Sequence, residues 1–238
     1  MTEPDVNVAD VDFEQVYRGA TPLGPRIPWD IGSPQPAVVA LADAGEFTGE
    51  VLDIGCGLGD NAVFLASRGI HVTGLDGAPT ALEKARERAA VGGVEVTFAV
   101  ADATTLEGWE GRFDVVLDSA LYHCLPEPQR HEYLAALTRA TRPGARLHLL
   151  CFSEEVPEAF PGPFRISEAN LRATVGKDWT IDRIEPARYT TSFTRGELVA
   201  TVRKFTGDNP GAADLERLDA DADGHVLTPS WHLVAHRP

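Results

Sequence analysis

Residues 51–61 read Val51-Leu52-Asp53-Ile54-Gly55-Cys56-Gly57-Leu58-Gly59-Asp60-Asn61. An apolar strand runs into three glycines on alternate positions, and a helical pattern follows. Glycine lets the backbone turn sharply and lets a ligand lie against bare amides. Asp53, at the strand end, places a negative charge beside those amides. A bound phosphate would be repelled by it, and a cation would be attracted.

A dinucleotide-binding loop is the first alternative. That fingerprint requires Gly-x-Gly-x-x-Gly. Gly55 and Gly57 fit its first two positions, but the third falls on Asp60. An acid there opposes a pyrophosphate held on the helix dipole. No Gly-Lys-Ser/Thr follows, so a nucleotide-phosphate loop of that kind fails too. An ordinary strand-to-helix turn has no need of three alternating glycines after an acid.

The chain has 238 residues and a net charge of −15, and 43% of it is hydrophobic. That suffices for one large domain with a real core. Nucleic acid and anionic membranes are disfavoured by the charge, which leaves a small molecule as the expected partner. The three cysteines, Cys56, Cys124 and Cys151, form no Cys-x-x-Cys pair. Their odd number suits a reducing cytoplasm and offers no disulfide or metal framework. The acidic stretch 1–12 has no apolar signal region, and no apolar run approaches membrane-spanning length. The reading is a soluble cytoplasmic monomer or homodimer without a metal.

Strand and helix signals alternate along the chain. Strands are expected at 50–54, 71–75, 95–100, 113–118 and 146–152. Helices are expected at 60–68, 79–90 and 127–141, the last stopped by Pro143-Gly144. Such alternation implies a doubly wound α/β fold with a mostly parallel sheet. Toward the end, 167–175 reads as a helix capped by Ser167. Segments 179–189 and 230–236 read as strands that pair antiparallel, giving seven strands in all. Residues 207–224, rich in Gly, Pro and Asp, read as a loop or flap within an acidic stretch 206–228. Residues 1–48 form a lead-in or lid, with a short helix at 13–19 and an extended segment at 24–36, ahead of a domain at 49–238.

With these elements in place, the chain resembles a class I S-adenosylmethionine-dependent methyltransferase. The resemblance rests on five motifs in order over about residues 48–152: the glycine stretch Val51 to Gly59, Gly74-Leu75-Asp76, Val100-Ala101-Asp102-Ala103, Phe113 to Asp118, and Arg142-Pro143-Gly144-Ala145. It implies a Rossmann-like fold and a cofactor whose sulfonium and amino group are both positive, as the charge of Asp53 requires. Gly55, Gly57, Gly59 and Asn61 would receive the methionine and ribose region. Asp76, 21 positions after Gly55, suits a bond to the ribose hydroxyls, with Gly77 beside it. Asp102 and the amide of Ala103 would meet the adenine. Asp118 would face the methionine part, through its carboxylate or its backbone.

A narrower resemblance links Tyr17-Arg18-Gly19, Pro28-Trp29-Asp30-Ile31-Gly32-Ser33-Pro34-Gln35-Pro36 and Asp118-Ser119-Ala120-Leu121-Tyr122-His123 to mycobacterial heterocyclic toxin methyltransferases. More distantly it reaches thiopurine and tellurite-resistance methyltransferases. It implies a small aromatic or heterocyclic acceptor methylated on oxygen. Trp29 could lay an aromatic face near the sulfonium, while Tyr17 reads as packing. Tyr122 and His123 follow the fourth strand, where this fold puts the acceptor, and the histidine could take a hydroxyl proton. The alternatives are a thiol or ring-nitrogen acceptor, a non-catalytic sensor of S-adenosylmethionine or its demethylated product, and a nicotinamide oxidoreductase disfavoured by Asp60. Asp219-Ala220-Asp221-Ala222-Asp223-Gly224 begins like a calcium loop, but its twelfth position is Ser230 instead of glutamate, so it reads as acidic surface.

Overall fold

The structure is a computed structural model that describes residues 11–20, 26–206 and 211–238, the side chains at 205 and 206 excepted. The acidic start at 1–10, the first two positions of the extended segment 24–36, and 207–210 of the acidic stretch lie outside the described residues.

Two helices, α1 (Phe13–Tyr17) and α2 (Pro36–Asp43), precede the first strand. The central strands β1 (Glu50–Ile54), β2 (His71–Asp76), β3 (Thr97–Val100), β4 (Phe113–Ser119) and β5 (Thr141–Phe152) then pair in parallel. They are joined by α3 (Asp60–Ser67), α4 (Pro79–Gly92) and α5 (Glu127–Ala140). After α6 (Glu168–Thr174) come β6 (Thr180–Thr194), α7 (Arg195–Thr206), α8 (Ala212–Leu215), β7 (Asp219–Ala220) and β8 (His225–His236). The sheet order is β3-β2-β1-β4-β5-β8-β6, with β7 paired to β8. The sheet therefore has eight strands, not the seven expected, and β8 runs against both β5 and β6.

Helices cover both faces, as nearly continuous apolar strands require. On one face α2, α3 and α4 set Val38, Leu65 and Leu82 against Val51 and Val115. On the other, α5 and α6 pack Tyr133, Leu137 and Leu171 against Leu52, Leu147 and Leu149. The winding reverses between β1 and β4, which run side by side with Asp53 opposite Leu117 and Ile54 opposite Asp118. A crevice opens beyond the strand ends at such a switch point.

Several boundaries move for identifiable reasons. The helix expected through 141 stops at Ala140, and β5 starts at Thr141. Pro143-Gly144 sits in an irregular start of that strand, where the register shifts between Phe113 and Val115. Strands β6 and β8 each extend five residues beyond the expected limit, to Thr194 and back to His225. They pair with one another, which carries them past where composition alone would end them. Helix α2 lies in the expected lead-in, and α7, a helix not expected, follows β6. Residues 211–224, expected as loop, contain α8 and a hairpin between β7 and β8. Asp221 closes that hairpin by accepting from the amides of Asp223 (3.0 Å) and His225 (2.8 Å).

Candidate active site

The strand-to-helix turn after β1 is built on left-handed glycines, with φ of +67° at Gly55 and +52° at Gly57. A side chain at either would be strained and crowded. A Cβ on Gly55 would lie 2.9 Å from the Leu121 Cβ, and one on Gly57 2.7 Å from the Tyr17 hydroxyl. Gly59 precedes α3 as its cap residue. Asp76, at the tip of β2, holds this turn in shape. Its two oxygens accept from the amides of Gly57 and Ala78, both at 2.8 Å. Burial raises its pKa, against the pull of those amides.

Asp53 is 1% exposed. Its Oδ2 is buried with no hydrogen-bond partner. Burial first, then the charges of Asp76 and Asp118, push its pKa up to about 8. An unpartnered carboxylate oxygen at this depth calls for a cation or a donor. Together with the glycine turn that tolerates no side chain, it fits a positively charged ligand and opposes a diphosphate.

The other expected cofactor residues divide by what they touch. Asp102 Oδ1 accepts from the amide and hydroxyl of Thr104 at 2.8 and 2.6 Å, leaving Oδ2 for a further donor. Ala103 follows it at the end of β3, and Gly77 sits between Asp76 and Ala78. Asn61 Oδ1 accepts from the amide of Gln35, so its side-chain oxygen anchors the lead-in segment. Asp118 is fully buried, and its carboxylate serves the protein itself. It accepts from the amides of Leu121 (2.8 Å) and Tyr122 (3.1 Å) and from the Tyr133 hydroxyl (2.8 Å). Burial still lifts its pKa to about 6. Its backbone lies within the sheet, opposite Ile54 of β1 and Leu149 of β5.

The lead-in segment closes over the glycine turn. Glu14 of α1 accepts from the amide and hydroxyl of Thr80 at the start of α4, at 3.1 and 2.5 Å. Trp29 Nε1 donates to the Tyr17 hydroxyl at 3.1 Å, with the two rings edge to face. Tyr17, expected only to pack, thus brings its hydroxyl directly over Gly57. Gln35 then bonds Thr190 of β6 in both directions at 3.0 Å. Arg88 of α4 grips Asp30 and also Asp60 at the start of α3.

Beyond the ends of β4 and β5 lies an aromatic collar. Phe152, Phe160, Tyr189 and Phe193 pack with Leu198, Val199 and Val202 of α7, and Trp29 and Ala120 border it. Trp29 also packs against the cluster over the glycine turn, so one ring touches both regions. Ala120, at φ +84°, makes the sharp turn after β4 that delivers the chain here. His123 packs on Phe152 at 4.3 Å between centroids, the rings tilted by 45°, and accepts the Phe152 amide at Nδ1, 2.8 Å away. That bond fixes the neutral tautomer with its hydrogen on Nε2. Burial, with help from Arg130, lowers its pKa to about 3. His123, expected as a base, thus has its Nδ1 lone pair engaged by this amide. Tyr122, the other residue expected at the acceptor, is placed differently. It is wholly buried in the core on the α5 face, where its hydroxyl donates to Asn170 (3.1 Å) and burial raises its pKa to about 12. Sequence reasoning missed the collar. Phe193 lies past the expected end of its strand, beyond a register shift between Thr190 and Thr194, so alternation gave no signal for it.

This fold and this site define the class I methyltransferases, with the ligand crevice at the switch point and an acid-flanked glycine turn. Residues 51–144 match the family model described as a methyltransferase domain. The whole chain is 40% identical, over 241 residues covering 100% of both, to the 2-heptyl-1-hydroxyquinolin-4(1H)-one methyltransferase of Mycobacteroides abscessus. A protein solved in work on the conversion of a disulfide bond into a thioacetal group during echinomycin biosynthesis superposes with a TM-score of 0.77. It is 36% identical, with 94% of this chain and 90% of that one covered. The [4+2]-cyclase SpnF shares the fold at a TM-score of 0.66 and 21% identity, covering 95% of each chain. The chain belongs to the S-adenosylmethionine-dependent methyltransferases, and S-adenosylmethionine is its cofactor. No helix among the described residues is long and apolar enough to cross a membrane.

Proposed function

We propose that the protein methylates a hydroxyl oxygen on a small planar heteroaromatic acceptor held in the collar of Phe152, Phe160, Tyr189 and Phe193. The observation that carries this reading is the neutral His123, which stands against that collar with its only available hydrogen on Nε2. Aromatic walls sandwich a flat ring and exclude water. A donor hydrogen beside them orients and stabilises an oxygen anion, but it cannot remove a proton. The acceptor must then arrive already ionised or lose its proton to solvent. A hydroxyl on a ring nitrogen conjugated to a carbonyl ionises readily, and the named acceptor of the Mycobacteroides relative carries such a group.

S-adenosylmethionine supplies a methyl group on a sulfonium that leaves as a neutral thioether. The chain's residues do the rest. Asp53 holds the cationic end against the close-packed backbone of Gly55, Gly57 and Gly59, with Asn61 and Asp118 alongside. Asp76 and Gly77 take the ribose, and Asp102 and Ala103 take the adenine. Tyr17 and Trp29 close the described lead-in, residues 11–20 and 26–48, over the donor as a lid and separate it from bulk water. Alignment and desolvation then account for most of the acceleration. We also infer action as a monomer or homodimer in the cytoplasm, away from nucleic acid and membranes, which a net charge of −15 disfavours.

Methyl-labelled donor incubated with a panel of hydroxyquinolinones, phenols, thiols and ring-nitrogen heterocycles tests the assignment. Label on the oxygen of an N-hydroxy or hydroxy heteroaromatic supports it. Label confined to thiols or ring nitrogens overturns it, and donor binding without transfer to any member would favour a sensor.

A further inference from the structure

Three acids meet where β1, β2 and β4 end side by side. Asp53 is the most enclosed side chain among them that lacks a full set of partners. It stands opposite Gly74 of β2 and Leu117 of β4 in the sheet register. Its Oδ2 is buried with nothing to bond. Asp76 faces it from β2, Asp118 from β4 and Asp60 from the start of α3. Cys56 in the turn and Tyr189 from β6 complete the titratable groups that sense its charge. The cations of this neighbourhood are engaged elsewhere, Arg88 by Asp30 and Asp60 and Arg86 by the Phe98 carbonyl at 2.9 Å. An ionised Asp53 would therefore place an unpaired charge in a dry site already holding like charges, which is strongly unfavourable. A proton on Oδ2 removes that conflict. So does a cation brought within reach of the same oxygen.

We propose that Asp53 carries a proton in the free protein near neutrality and surrenders it to solvent when the cationic methyl donor binds, so that donor binding is coupled to proton release. No bond other than Oδ2–H is broken, and the proton passes to buffer. This rests on the donor lying against the glycine turn, and it adds what that reading leaves open, the charge state of the acid that receives it. The coupling makes donor affinity rise with pH. It also gives the site a preference for a charged ligand that a fixed carboxylate would obtain only by enduring its own desolvation. Burial and the flanking acids hold the pKa near 8, which puts the exchange within reach of ordinary buffers.

Titration calorimetry of the full chain with S-adenosylmethionine, in two buffers of different ionisation enthalpy at about pH 7, reads the proton count directly. The expected result is release on the order of one proton per donor bound. Affinity should also strengthen about tenfold or more between about pH 6 and about pH 8. Asp53→Asn, which cannot ionise, should bind more weakly and show no buffer-dependent heat beyond that from the donor's own amino group, which titrates alike in both proteins. Infrared difference spectra give a readout that needs no binding by the variant. A carboxylic-acid carbonyl band present in the free wild-type protein should be absent from free Asp53→Asn, and should vanish from wild type on donor addition. Binding heat that is the same in both buffers, or an unchanged proton count in Asp53→Asn, would overturn the coupling. So would the absence of that infrared band from the free wild type. A total lack of binding by wild type would instead count against the donor site itself.

Discussion

His123 shows how one backbone hydrogen bond decides what a side chain can do. With the Phe152 amide on Nδ1, the imidazole presents Nε2–H and no basic lone pair. Removing a hydrogen bond to a charged group costs roughly 1.5–3 kcal/mol, so His123→Ala should lower kcat by about tenfold to a hundredfold. The pH dependence of kcat should keep its shape, because a group with its pKa lowered to about 3 does not titrate in the working range. His123→Gln, which retains a donor, should recover part of the rate. A lost ionisation in the variant profile would reinstate the base. The glycines, Asp53 and Asp76 were legible in the sequence because backbone conformation and charge are local properties. The roles of Tyr122 and His123 were not. Adjacent residues in a 3-10 turn point different ways, and only the packing of α6 and β5 decides which of them reaches the collar.

At the scale of elements, the lead-in is fastened by a few directional bonds to strands far away in sequence. Gln35 fills both the N–H and the C=O of Thr190, a pairing that joins the start of α2 to β6 across 155 positions. Ser192 repeats the attachment, its amide donating to the Pro28 carbonyl at 2.8 Å and its hydroxyl to that of Ile27 at 2.9 Å. Gln35→Ala leaves both groups of Thr190 buried and unmatched. It should destabilise the protein by about 1–3 kcal/mol, weaken donor affinity severalfold, and expose the segment before α2 to proteolysis. Denaturant melts, calorimetry and timed digestion would read the three effects. Wild-type digestion kinetics would contradict the fastening. The βαβ core was readable because its strands and helices carry their own periodicity, with Gly or Pro at the helix ends. Helix α7 carried a signal that was overlooked. Thr194 and Glu197 form a reciprocal capping box, in which Glu197 accepts from the Thr194 amide at 2.9 Å. The outer halves of β6 and β8 had no such local mark, since their length comes from pairing with each other.

Across the whole molecule, buried ionisable groups set a characteristic response to pH. Asp53 holds its proton to about pH 8, against an ordinary value of 3.8, so between those limits the folded state binds more protons than the unfolded chain. Stability of the free protein therefore falls as pH rises through that window. His123 and His148 are held neutral with pKa values of about 3, against 6.5. Their contribution is lost as pH drops below the ordinary histidine range. Thermal melts of the free protein should decline as pH rises from about 6.5 to about 8, where Asp53 ionises. Asp53→Asn should flatten the alkaline limb, and an equally steep limb in the variant would assign it to other groups. Donor binding should restore stability on that limb in wild type, since the complex no longer holds the proton. The account as a whole depends on a cation occupying the turn after β1. Equilibrium dialysis of the protein against labelled S-adenosylmethionine and, in parallel, against labelled NAD tests this most directly. The prediction is retention of one equivalent of the methyl donor with NAD passing freely. Retention of NAD with exclusion of the donor would contradict it.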